Sequence, residues 1–150
     1  MTTVTSPMAG RAVGLATVRD PVFADSLVGP GAAVDPLREP SVARAPVDGI
    51  LVSVHPHAYV VVDEQGHGVL THLGIDTVQL GGEGFELLAG KGDRVRRGDP
   101  VIRWDPAGVE AAGRSPVCPV IALDAPAAAL SGVAEDTDVD AGEPLFRWNG

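Results

Sequence analysis

The chain has 150 residues, the size of one domain, and at 45% hydrophobic it can bury a core. Its net charge of −9 argues against nucleic acid and anionic membrane surfaces as partners and suits a basic protein instead. Nineteen glycines and thirteen prolines favour short strands and frequent turns over long helices, and the single cysteine excludes an internal disulfide.

Residues 1–5 read as disordered. Ser6-Pro-Met-Ala-Gly10 opens a turn, and Ala12 to Val18 alternates loosely as a strand. Asp20 to Gly29 mixes apolar and acidic residues without a clean period, and residues 30–44 read as a short strand and loop. Ala45-Pro-Val-Asp-Gly49 repeats the Pro-x-x-Gly pattern of Ser6 to Gly10 and leads into the alternation Ile50-Leu-Val-Ser-Val54. His55-Pro56-His57 follows. His67 sits in Glu64-Gln-Gly-His-Gly68, a hairpin turn by composition, and is expected to face solvent.

Gly68-Val-Leu-Thr-His-Leu-Gly-Ile-Asp-Thr-Val-Gln-Leu80 centres on His72, flanked by Leu70, Leu73 and Ile75. It reads as a strand that carries an imidazole with its tip in a shallow, apolar-rimmed hollow, and β-branched residues continue it to Leu80. All four histidines, His55, His57, His67 and His72, fall in one short stretch, so neighbouring strands can bring His57 and His72 together. Glu86-Leu-Leu-Ala reads as a helical turn.

A second repeat is clearer than the first. Val95-Arg-Arg-Gly98-Asp-Pro100-Val-Ile-Arg-Trp104 returns as Val139-Asp-Ala-Gly142-Glu-Pro144-Leu-Phe-Arg-Trp148, each a turn between two β segments. Asp105-Pro106 caps a short helix through Gly113, with Asp as cap and Pro at the first helical position. Cys118 lies in an apolar strand-like run and reads as a buried, inert thiol. Ala125 to Leu130 is a further candidate for a helical turn. No basic region followed by an apolar core marks a signal peptide, and no apolar run approaches the roughly eighteen residues of a membrane span. The expectation is a soluble, cytoplasmic, all-β protein, residues 1–150 forming one domain: an antiparallel β-sandwich or flattened barrel with internal duplication and a few short helical turns.

Thr71-His-Leu-Gly-Ile-Asp-Thr-Val-Gln-Leu80 followed by Gly82-Glu-Gly-Phe85 resembles the active-site signature of the glucose-type enzyme IIA of the bacterial sugar phosphotransferase system. Ala45 to Gly49, His57-Ala-Tyr59, Phe23-Ala-Asp25 and Gly92-Asp-Arg-Val-Arg-Arg-Gly98-Asp fit the same family in order and spacing, so the resemblance runs from about Ser6 to the C-terminus. It implies a β-sandwich with a shallow active-site depression and no permanent cofactor or metal.

The resemblance further implies that His72 takes a phosphoryl group on Nε2 from the phosphohistidine of the carrier HPr. The group then passes to a cysteine of the sugar-specific enzyme IIB, which works with the membrane component IIC. A neutral imidazole suits this chemistry, because its ordinary pKa of about 6.5 leaves a lone pair free near pH 7. His57 matches the second active-site histidine, which binds the phosphoryl oxygens. A backbone carbonyl, with Gly74 the nearby candidate, is needed to hold Nδ1–H of His72. Asp20 and Asp76 correspond to acidic residues that meet arginine on HPr. Val22, Phe23 and Val78 correspond to an apolar docking rim, although pattern alone places Phe23 in the core. The imported sugar, of the glucose or N-acetylglucosamine class, is read by IIB and IIC. As a free-standing domain the chain is expected to reach that permease by diffusion.

His55 departs from the family, which commonly has Thr two residues before its first active-site histidine. Three roles are open for it: orienting His57, adding a positive partner for phosphate, or simple exposure. A competing reading is a zinc hydrolase, since His55-x-His57 and His72-x-x-x-Asp76 resemble the ligand motifs of lysostaphin-type peptidases. Their order along the chain is the reverse of that family's. A regulatory role, in which the phosphorylated and free forms bind different partners, is compatible with the carrier reading.

Overall fold

The computed structural model describes residues 1–150, all of the chain. The strands are β1 (Thr2–Thr5), β2 (Gly10–Val13), β3 (Gly31–Pro36), β4 (Ser41–Arg44), β5 (Gly49–His55), β6 (Ala58–Val62) and β7 (Gly68–His72). They continue as β8 (Phe85–Leu87), β9 (Arg94–Val95), β10 (Pro100–Trp104), β11 (Cys118–Ala122), β12 (Leu130–Ser131), β13 (Thr137–Val139) and β14 (Pro144–Trp148). Two α-helices, α1 (Pro21–Ala24) and α2 (Pro106–Ala111), are a turn or two long, and no helix is long and apolar enough to cross a membrane.

An eight-stranded sheet runs β13-β2-β3-β11-β7-β6-β5-β9, and two three-stranded sheets run β1-β14-β12 and β4-β10-β8. The pairings are antiparallel, and the large sheet ends in two free edges instead of closing as a barrel. Trp104, Tyr59, Phe146, Met8 and Leu51 fill the main core, each fully buried, with Cys118 buried among them as expected. A smaller cluster, Leu15, Val18, Phe23, Ala33, Ile75 and Ile121, lies apart from it.

The two repeats are one structural device used twice. Gly98 N donates to Ala45 O at 2.9 Å and Ala45 N donates to Asp99 O at 2.9 Å; Gly142 N donates to Ser6 O at 2.9 Å and Ser6 N donates to Glu143 O at 2.8 Å. Each Pro-x-x-Gly segment is thus pinned to one Gly-Asp/Glu-Pro turn, and both turn glycines are left-handed, at φ 89° and 90°. Asp105 caps α2 as the sequence predicts, its Oδ1 accepting from Ala107 N at 3.1 Å. The same Asp-Pro signature caps α1 at Asp20-Pro21, where the hydrophobic pattern gives no sign of a helix. A single 3-10 turn at Ala127–Ala129 stands for the predicted helical turn there.

Several expectations fail for reasons of tertiary contact. Residues 1–5 are ordered: Thr2 to Thr5 form β1 on β14, with Val4 fully buried. Alternation from Ala12 does not continue to Val18, because the strand stops at Val13 and Leu15–Thr17 turns as 3-10 helix. Glu86 belongs to β8, paired with β10, where Arg103 Nη1 donates to its carboxylate at 3.1 Å; it is not in a helix. His67 does not face solvent. Its ring stacks on Trp148 with centroids 4.1 Å apart, and only 11% of its side chain is exposed.

That stack clasps the N-terminal strand. Thr2 Oγ1 donates to Asp63 Oδ2 at 2.7 Å, while Asp63 Oδ1 accepts from Gln65 N and His67 N, each at 2.9 Å. Burial pushes the Asp63 carboxyl up, but these hydrogen bonds outweigh it and hold the group below its ordinary value. A carboxylate held down stabilises the fold above its unfolded-state pKa of about 3.9, and the contribution fades as pH falls through the lower folded value. Asp63→Ala is therefore expected to cost about 1–3 kcal/mol in urea denaturation at neutral pH, since three donors lose their acceptor. The gap to wild type should narrow below about pH 4.

Candidate functional site

His72 is the last residue of β7 and lies opposite Ala58, the first residue of β6. His55 ends β5 and pairs with the same Ala58, so Pro56 and His57 form the tip of a two-residue hairpin. His57 is thereby delivered to the end of β7, and Leu73 N donates to His57 O at 2.7 Å, locking the hairpin tip to the chain beyond His72. The two rings meet edge to face, with centroids 5.2 Å apart and planes at 70°.

Beyond His72 the chain does not continue as strand to Leu80. Gly74 at φ 85° and Asp76 at φ 59° turn it back, and Thr77–Leu80 forms a 3-10 turn. Thr77 Oγ1, fully buried, donates to Leu73 O at 2.8 Å, and Ile75 N donates to Ser115 O at 2.9 Å. This turn aims the Gly74 carbonyl at the histidine, with His72 Nδ1 2.5 Å from Gly74 O. A carbonyl oxygen only accepts, so Nδ1 carries the proton and the neutral ring leaves Nε2 bare.

Burial of the His72 ring pushes its pKa below the usual imidazole value; the Gly74 carbonyl and the charges of Asp20 and Asp76 pull the other way. Burial also lowers His57, reinforced by His72 and then by His55. Both rings are therefore neutral at pH 7, and one offers an unprotonated, oriented nitrogen for attack on an electrophile.

The other singled-out residues fall around this pair. Asp20 accepts from Val22 N at 3.0 Å as the cap of α1, which presses Phe23 against His72 with centroids 5.2 Å apart. Phe23 is only 7% exposed, so it is not an open rim residue; it packs with Leu15, Val18 and Ile75 and walls the His72 ring. Val22 and Val78 are exposed, at 41% and 60%. His55 is exposed, its ring 6.0 Å from His57. The four residues of the zinc reading do not gather: no group of three or more His, Cys, Asp or Glu side chains is arranged to hold a metal ion, so that reading finds no support. Sequence reading misses Arg114, whose Nη2 donates to Gln79 Oε1 at 2.6 Å on the turn after His72. No local pattern marks it, since the contact joins residues 35 apart.

A family model described as the phosphoenolpyruvate-dependent sugar phosphotransferase system, EIIA 1, matches residues 2–127. The chain is 37% identical over 147 residues to a Corynebacterium glutamicum PTS system glucose-specific EIIBCA component, covering 98% of this chain and 22% of that protein. It is 34% identical over 140 residues to a Staphylococcus aureus PTS system glucose-specific EIIA component, covering 92% of this chain and 83% of that one. Its fold matches glucose permease IIA from Mycoplasma capricolum with a TM-score of 0.86 at 29% identity, covering 96% of this chain and 93% of that one. The chain thus spans about a fifth of the length of the corynebacterial relative and most of the length of the other two.

Proposed function

The chain belongs to the EIIA 1 family of the phosphoenolpyruvate-dependent sugar phosphotransferase system, and from that membership we propose that it is a phosphocarrier with His72 as the acceptor. One observation carries the assignment: Gly74 O holds Nδ1 of His72, freeing Nε2, with His57 against the same ring. The lone pair of Nε2 attacks the phosphorus of phosphohistidine on HPr. The donor N–P bond breaks as the new one forms, and Nδ1 keeps its proton on the Gly74 carbonyl. His57 donates a hydrogen bond to the phosphoryl oxygens. A cysteine thiolate of enzyme IIB then attacks the same phosphorus, and Nε2 leaves. Little covalent chemistry is asked of the protein beyond position and charge, so no prosthetic group is needed.

Asp20 and Asp76 take an arginine of HPr, and Val22 and Val78 supply apolar contact around it, with Phe23 shaping the rim from beneath. A few charges around apolar contacts suit a transient encounter that forms and separates quickly. IIB and IIC select the sugar, of the glucose or N-acetylglucosamine class, and the carrier works on the cytoplasmic side of that permease.

The test is a relay assay with phosphoenolpyruvate, enzyme I and HPr, read by intact mass, followed by addition of the IIB domain. One phosphoryl group should be gained and then lost to IIB. Because burial lowers both histidines, uptake should hold its rate as pH drops through about 6.5 and fall only below that. A rate that halves near pH 6.5 or above contradicts the buried, neutral pair.

A further inference from the structure

We propose that His55 carries the positive charge that balances the phosphoryl group on His72; the proposal deepens the phosphocarrier reading and rests on it. His55 pairs with Ala58 across β5 and β6, and Ala58 pairs with His72 across β6 and β7. Directly paired residues show their side chains on the same face of a sheet. His55, Ala58 and His72 therefore stand in one row across three strands. Ala58 is buried and ends at a methyl group, so no bulk rises between the two outer rings. The His57 ring enters from the hairpin tip, 6.0 Å from His55 with the planes at 29°, and 5.2 Å from His72. A phosphoryl group bound by His57 is thus one stacked ring away from His55.

Burial divides the labour among the three imidazoles. His72 and His57 are half-buried, and burial holds both below the usual imidazole value. A ring stripped of water resists a proton. His55 is exposed, so water solvates its charged form. A phosphoryl group brings about −1.5 to −2 charge at neutral pH. Its counter-proton, drawn from solvent, settles on the best-hydrated ring of the row. His57 stays neutral and keeps one N–H to donate. The backbones of His55 and His72 lie two strand spacings apart, about 10 Å. A phosphoryl group between them falls inside the screening length of physiological salt, about 8 Å.

The fixed charges around the row do not take over this task. Asp20 and Asp76 bear on His72, and Glu83 follows Gly82, where an added Cβ would meet Pro56 Cγ at 3.3 Å. All three carboxylates repel a phosphoryl group. Arg19 and Arg114 line one groove with Asp20 and Asp76, yet neither bears on the charge of His57 or His72. The threonine common at the position of His55 in the family is neutral at every working pH, so the charge belongs to this chain.

The phosphoryl equilibrium between phospho-HPr of the same organism and the chain is read by intact mass at pH 6.5 and 8.5, at low and physiological salt. His55→Phe keeps an aromatic ring against His57 without the charge. At pH 6.5 it should move the equilibrium back toward phospho-HPr about three- to fivefold relative to wild type, and less at the higher salt. At pH 8.5 the difference should shrink below about twofold, because charge gained on a histidine is lost as pH rises. His55→Arg keeps the charge and should match or exceed wild type at both pH values. The position is exposed, so neither variant disturbs the core. In ¹⁵N-histidine NMR, His55 should titrate at higher pH in the phosphorylated chain than in the free one. His55→Phe equal to wild type at pH 6.5, His55→Arg failing alongside it, or an unmoved His55 titration overturns the proposal and leaves the carrier assignment standing. Wild type that takes no phosphoryl group overturns the carrier assignment itself, and the proposal with it.

Discussion

His72→Ala is expected to take up no phosphoryl group, whereas His57→Ala takes one up and hands it on about 10²- to 10³-fold more slowly. The asymmetry follows from the geometry of the two rings. Only His72 has a nitrogen whose tautomer is fixed by a carbonyl, at 2.5 Å from Gly74 O, so only His72 presents a bare Nε2 in a set direction. His57 sits at a hairpin tip with no such anchor, 5.2 Å away, where it can donate to phosphoryl oxygens as charge builds during transfer. Removing one such donor slows the transfer step without removing the atom that forms the bond. Intact mass after incubation with phosphoenolpyruvate, enzyme I and HPr reads the first effect, and rapid-quench discharge to IIB reads the second. Equal loss in both variants contradicts the division of roles.

Gly74→Ala is expected to damage fold and site together. The backbone at this position has φ 85°, which an alanine seldom adopts. A Cβ there would stand 2.6 Å from Thr77 Cγ2 and 2.7 Å from Ser115 O. Neither neighbour is free to move, for Thr77 is fully buried and bonded to Leu73 O, and Ser115 O accepts from Ile75 N. The peptide must therefore shift, at a cost of about 2–5 kcal/mol from strain and overpacking combined. Its carbonyl then leaves Nδ1, and the ring samples the wrong tautomer. Transfer through His72 should fall by about 10- to 100-fold in the fraction that still folds, as when a ligating histidine loses the group that orients it. Denaturation midpoint and single-turnover rate, measured on the same sample, separate the two losses. A variant as stable as wild type, or one with an unchanged rate, contradicts the role given to this glycine.

What was legible in the sequence depended on how local its cause was. His72 on a strand, the Asp105-Pro106 cap, the paired Gly-Asp/Glu-Pro turns and the buried Cys118 each rest on neighbours within a few residues. Their chemistry was visible in the string. β1 was not legible, because four residues of threonine and valine become a strand only when β14, at the other end of the chain, pairs with them. His67 lost its exposure to Trp148 for the same reason. The turn after Gly74 hid behind β-branched residues that suit a strand by themselves; Thr77 spends its hydroxyl on Leu73 O, and the positive φ values at Gly74 and Asp76 reverse the chain. At the site, the histidine pair was legible from the spacing of the two strands and the family resemblance. The burial of Phe23 was legible too, since pattern alone places it in the core; the family resemblance moved it to the docking rim, and the packing of Phe23 in the Ile75 cluster decides for burial. Arg114 shows in neither pattern nor motif, since only a hydrogen bond to Gln79, 35 residues away along the chain, places it beside that turn.

The most direct measurement of the central claim is phosphorus and nitrogen NMR of the ¹⁵N-histidine-labelled chain after phosphorylation by HPr. A single phosphoryl group bonded to Nε2 of His72, with Nδ1 still protonated and His57 unmodified, is the predicted result. Phosphate on Nδ1 of His72 contradicts the anchoring role of the Gly74 carbonyl. Phosphate on His57 or His55 contradicts the assignment of His72 as the acceptor.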